Sequence, residues 1–207
     1  GQGFGTFSQD GTLRLSTDND TFNSAQELSL QTGLERWSAG GFAKYEIAPD
    51  TELFAEFVYA DTRSDLQFAS SNPQAFISFA IDSDFFPDAT RSDLSANFDP
   101  DGDGIGQGFF AKRLTEIGPR RTPRSEEYLY TVIGLQRQIN EWSVNGYYSF
   151  GQSDQRFRLS NGIVRSRYLQ AILTDPVTGQ CVDTSNGCEP ANVFGAGNLS
   201  DGAAQFI

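Results

Sequence analysis

Apolar and polar residues alternate with a period of two in two stretches of this chain, and each stretch reads as a β-hairpin. In residues 35–63, Trp37, Ala39, Gly41, Ala43, Tyr45 and Ile47 share one face of the first arm. The other face carries Arg36, Ser38, Gly40, Phe42, Lys44 and Glu46, polar apart from Phe42. The return arm sets Leu53, Ala55, Phe57 and Tyr59 against Glu52, Phe54, Glu56 and Val58, a weaker alternation that still segregates both glutamates. The turn is placed at Ala48-Pro49-Asp50, because proline lacks the N–H that a ladder needs. In residues 125–158 the turn falls at Asn140-Glu141. Leu129, Thr131, Ile133, Leu135 and Ile139 form the apolar row before it, broken by Arg137, whose long side chain reaches toward an interface. Trp142, Val144, Gly146, Tyr148 and Phe150 form the row after it, opposite Ser143, Asn145, Tyr147, Ser149 and Gly151.

Residues 1–34, 64–124 and 159–207 show no such period and are expected to be long loops. Connections in compact soluble domains are usually about 4–6 residues. Short turns alternating with very long loops are the asymmetry of outer-membrane barrels, and Trp37, Tyr45, Tyr59 and Trp142 near strand ends suit aromatic girdles. The expected class is therefore all-β: an antiparallel transmembrane β-barrel segment of two hairpins, about four strands, with long extracellular loops. A soluble β-sandwich would show more strands at closer spacing.

Composition narrows the function. With 27 acidic and 15 basic residues and a net charge of -12, no nucleic-acid partner is expected, since that binding rests on Lys and Arg neutralising phosphates. The chain has no histidine, which excludes Ser-His-Asp and Cys-His nucleophile pairs and His-containing zinc sites. No enzymatic activity and no cofactor are expected. No run reaches the roughly 18 apolar residues of a membrane helix, a criterion to which strands are invisible. With Gly1 first and no methionine, the chain is read as a processed product or an internal piece of something longer.

Several clusters carry candidate chemistry. Asp99, Asp101 and Asp103 alternate before glycines like the start of an EF-hand loop, but Phe110 stands where the bidentate glutamate belongs. A plain turn-forming loop is the first reading and a weak calcium site the second. Cys181 and Cys188, the two cysteines, fall in a polar stretch and read as a disulfide of an oxidising compartment. Lys112, Arg113, Arg120, Arg121 and Arg124 gather a third of the basic residues, either as a patch for an anionic ligand or lipopolysaccharide phosphates or as a solvated loop. The glycine runs at residues 1–5 and 104–108 lack the strand-and-helix context of a phosphate cradle and read as loops. Phe85-Phe86 and Phe109-Phe110 read as pins for the middle loop, and Glu126-Glu127, on opposite faces of a strand, are no acid/base pair.

Three phrases carry a family likeness. FNSAQELSLQTGLERWSAGGFAKYEIAPDTELFAEFVYADT from Phe22, KRLTEIGPR from Lys112 with the hairpin after it, and GCEPANVFGAGNLSDGAAQFI from Gly187 stand in this order. Together they resemble the barrel of TonB-dependent outer-membrane receptors. Gly33 replaces a proline usual in that family, and Pro190-Ala191-Asn192 a Pro-Leu-Asn; no plug domain or TonB box is recognisable. The resemblance implies an internal barrel fragment, residues 1–207, of a bacterial outer-membrane receptor that captures a scarce nutrient such as a siderophore, saccharide or cobalamin. Its expected partners are outer-membrane lipid, the small nutrient and, through parts of the receptor outside this chain, the TonB system. A passive porin-like channel and a secreted, calcium-stabilised β-sandwich adhesion module are the alternatives.

Overall fold

The structure is a computed structural model that describes residues 5–207. In chain order its strands are β1 (Gly5–Phe7), β2 (Leu13–Leu15), β3 (Gly33–Ala48), β4 (Thr51–Phe68), β5 (Gln74–Ala80), β6 (Ile105–Ala111), β7 (Arg120–Ile139) and β8 (Trp142–Phe157). Helices α1 (Asp88–Phe98), α2 (Arg165–Ile172) and α3 (Asp201–Phe206) lie between and after them. With 46% strand against 17% helix the class is all-β-like, built from antiparallel sheets. The chain divides into two compact units.

The unit of residues 29–67 and 121–160 is one four-stranded sheet in the order β3-β4-β7-β8. Both expected hairpins are present with longer arms. Asp50 at one turn and Asn140 at the other take positive φ, 60° and 55°, which short polar side chains tolerate. The β3–β4 ladder pairs Tyr45 with Leu53, Gly41 with Phe57 and Ala39 with Tyr59, so the two apolar rows are one row. The β7–β8 ladder likewise pairs Ile133 with Tyr148, Thr131 with Phe150 and Ile139 with Trp142. Between the hairpins, the Gln138 N–H donates to the Asp50 carbonyl at 2.9 Å and the Thr122 hydroxyl to the Leu66 carbonyl at 3.2 Å. This alignment sets Phe54 opposite Gly134, where a Cβ would lie 2.4 Å from the Phe54 ring. The polar-side residues of β4 and β7 therefore share a face, and by alternation so do the apolar ones. All four strands present one continuous apolar band. That band is exposed: Trp37, Tyr45, Trp142 and Tyr148 keep 57%, 70%, 76% and 69% of their surface.

The other unit comprises residues up to 28, 68–120 and 161–207 and holds the hydrophobic core. The stretches expected to be irregular are substantially folded here. β5 pairs with β6 in an antiparallel hairpin through Ala75–Phe110, Ile77–Gly108 and Phe79–Gly106. Its buried face, Ala75, Ile77 and Phe79, packs with Leu94 of α1, Tyr168, Ala171 and Ile172 of α2, and Ala203 and Phe206 of α3. Gly106 and Gly108, expected in a loop, are strand residues. At Gly106 a Cβ would meet the Phe79 ring at 2.5 Å, so the glycine there serves packing. Of the first glycine run, residues 1–4 lie outside the described residues, and Gly5 opens β1. Phe86 is buried in the core and Phe85 and Phe110 pack against it, while Phe109 remains 69% exposed.

Candidate functional site

The acidic loop connects α1 to β6. One oxygen each from Asp99, Asp101 and Asp103 lies within 4.8 Å of the others. Asp99 is buried, and its carboxylate accepts from the backbone N–H groups of Gly102 at 2.9 Å, Asp103 at 3.1 Å and Gly104 at 3.0 Å. Asp103 accepts from the Ile105 N–H at 2.8 Å. Burial disfavours the Asp99 charge, but the donors from Gly104, Asp103 and Gly102, with a hydrogen bond to Asp101, outweigh it and hold the carboxyl below its ordinary value. Both Asp99 oxygens thus help to fold the turn, the chemistry of a loop-closing aspartate.

Cys181 and Cys188 are joined by a disulfide with Cα atoms 6.2 Å apart. Thr174 bridges to Cys181, and the Val182 N–H donates to the Leu173 carbonyl at 3.0 Å, so the bridged loop is tied to the end of α2. The Gln170 amide, on α2, donates to the Asp183 and Ser185 carbonyls at 2.8 and 3.0 Å.

The five clustered cations all have partners. Lys112 donates to Glu116 at 2.9 Å and to the Gly195 carbonyl at 2.7 Å, its side chain only 9% exposed. Arg113 donates to the Ser70 carbonyl at 2.7 Å and stands over the Phe22 ring. Arg120 donates to the Ala69 carbonyl at 2.9 Å and stands over Phe68. Arg121 pairs with Asp65. Arg124 donates to Glu126 and to Gln155, each at 3.2 Å. Each of the five is thus engaged by the chain itself, Lys112 almost buried and Arg121 and Arg124 half exposed.

A concavity of about 800 Å³ lies at the ends of the four sheet strands away from their turns. Arg63, Arg124, Arg156 and Arg158 line it together with Glu35 and Asp65. Arg63 is held by Asp61 through two bonds of 3.2 Å. Arg156 and Arg158 are exposed, and neither side chain has a hydrogen-bond or ion-pair partner among the described residues. These do not stand out as a cluster in the sequence, because Arg63 lies far before Arg156 and Arg158 along the chain. The signal that would have found them is the period-two row of each strand, continued past its last aromatic residue. No protein-family model, no curated protein and no solved structure matches the chain.

Proposed function

We propose that the four-stranded sheet is part of the wall of an outer-membrane β-barrel, and that the intact protein is a receptor importing a scarce nutrient by TonB-coupled transport. The observation that supports the wall is the exposed apolar face. From Trp37 to Ile47 the band spans about 33 Å of strand, which at a barrel tilt of roughly 40° covers about 25 Å of bilayer. Trp37 and Tyr59, rings 4.9 Å apart, mark one limit, and Tyr45 and Trp142 stand near the other. In a bilayer of that thickness, an indole or phenol at each limit would turn its polar edge to the head groups. On the opposite face Phe42, Phe54, Val58 and Tyr147 stand among polar residues, and Lys44 pairs with Glu52 at 3.0 Å, a charged pair that suits a barrel interior. A β-sandwich would bury the apolar face in a second sheet, whereas its aromatic residues are exposed. Nutrient capture and TonB coupling rest on the resemblance of the three sequence phrases.

The two tryptophans make the wall testable, since both lie in the band. In phospholipid vesicles, lipids brominated near the head group should quench Trp37 and Trp142 more than lipids brominated at the chain ends. A chain that stays monomeric in water and shows no quenching would end the membrane reading. In cells producing the whole receptor, uptake that survives collapse of the inner-membrane proton gradient would favour the passive channel over TonB-coupled import.

A further inference from the structure

We propose that Arg156 and Arg158, with Arg63, form a docking site for the phosphate groups of membrane-lipid head groups. The inference rests on the barrel-wall reading and adds to it a ligand and the residues that take it.

Position comes first. The apolar row of β8 uses even-numbered residues, and that row continues beyond Phe150 through Gln152 and Asp154 to Arg156. The alternation persists past the end of β8, because the Arg158 N–H donates to the Pro123 carbonyl at 3.2 Å and Ser160 still bridges to Arg121. On β4 the row of Leu53, Ala55, Phe57 and Tyr59 likewise runs on to Arg63. The three arginines therefore stand on the same face as the apolar band, beyond the edge marked by Trp37 and Tyr59. Aligned through Asp50–Gln138 and Leu66–Thr122, Tyr59 faces Leu129, whose partner is Gln152. Arg156 lies four residues further, about 13 Å along the strand. Next to a bilayer, that is where phosphates are.

Pairing points the same way. Of the arginines lining the concavity, Arg63, Arg156 and Arg158 stand on the face of the apolar band, beside Glu35 and Asp65, whereas Arg124 belongs to the other face with Glu126 and Gln155. Asp65 is taken by Arg121, Arg63 by Asp61 and Arg124 by Glu126, which leaves Arg156 and Arg158 as open guanidinium forks. A guanidinium presents parallel N–H donors that match two phosphate oxygens, and its charge survives at any physiological pH. Arg63, already oriented by Asp61, is placed to add a third cation at the rim.

The test uses the full chain in zwitterionic detergent, titrated with a bis-phosphorylated glycolipid, the same glycolipid after dephosphorylation, and inorganic pyrophosphate. Tight binding is expected for the phosphorylated lipid and at least tenfold weaker binding for the dephosphorylated one. Arg156→Ser/Arg158→Ser should lose at least tenfold for the phosphorylated lipid, Arg156→Lys/Arg158→Lys should lose less, and Arg165→Ser, at an exposed arginine outside the sheet, should lose nothing. Circular dichroism checks that the exposed substitutions leave the strands intact. Equal binding of both lipids, or an unaffected double serine variant, overturns the proposal. So does pyrophosphate binding lost in that variant without lipid discrimination, which would mark a site for free anions only. Tryptophan quenching by brominated lipid separates the two levels: if quenching holds and the phosphate arms fail, this inference falls alone.

Discussion

Phe194 has no exposed surface, and the rings of Phe7, Phe79, Phe85, Phe86 and Phe110 stand 4.6 to 6.4 Å from its own. Truncation there removes a ring and leaves a cavity that five neighbouring rings cannot fill. Phe194→Ala should cost the core-bearing unit about 3–5 kcal/mol, read as a lower urea midpoint in near-ultraviolet dichroism. Glu116 makes a second, pH-dependent case. It accepts from Lys112 and from the Gly197 N–H at 2.9 Å, joining the segment after β6 to the C-terminal segment. Burial opposes its charge, but Lys112 and Gly197 outweigh it, so its carboxyl titrates below the ordinary 4.5. A depressed carboxyl stabilises the fold only while ionised: its contribution is whole above the unfolded value and disappears as pH falls through the lower folded one. Acid titration of the wild type should therefore show a loss below about pH 4.5 that Glu116→Gln lacks. At neutral pH that variant should be less stable by roughly 3 kcal/mol, because it leaves the Lys112 charge without its partner. Neither residue stood out in the sequence. Phe194 lies in a stretch without period, and the run of cations around Lys112 hides that its partner is the glutamate four residues on.

Among the elements, the hairpins were legible and the folded loops were not, for a physical reason. β3, β4, β7 and β8 are long and carry a more apolar and a more polar face, so alternation repeats often enough to be read. β5 and β6 are seven residues each, and α1 buries only Thr90 and Leu94 along eleven residues, too little to write a helical stripe. Their stability comes from contacts between distant segments, such as β5 with α2, which local pattern does not encode. The disulfide stands between these extremes: the cysteines were visible in the sequence, but their tie to α2 through Thr174 and Gln170 was not. Closing so short a loop restricts the unfolded chain modestly, about 2 kcal/mol by the chain-entropy relation. Reduction should therefore speed hydrogen exchange over residues 174–188 and leave β3, β4, β7 and β8 at their oxidised rates. Faster exchange spread evenly over the whole chain would show that the bridge does more than pin one loop.

At the scale of the whole molecule, the apolar core belongs to one unit, while the other presents large apolar side chains on an exposed sheet face. In water such a face is an aggregation surface; in a bilayer it is solvated. Because strand neighbours point to opposite faces, two adjacent substitutions can decide between these solvents. Tyr148 pairs with Ile133 and Ser149 with Val132, both near the middle of the band, so the two positions differ in face and scarcely in depth. An arginine on the lipid side of a barrel midplane costs about 2–4 kcal/mol, whereas the interior side tolerates charge. Tyr148→Arg should therefore lower stability in phospholipid vesicles by that amount, with Ser149→Arg close to wild type, as measured by denaturant unfolding followed through tryptophan emission. A water-exposed sheet requires the opposite ranking. There Tyr148→Arg would replace an exposed aromatic ring by a charge, leaving stability unchanged and raising solubility. If the two variants prove equal in lipid, the apolar band does not face the bilayer, and the wall reading falls with it.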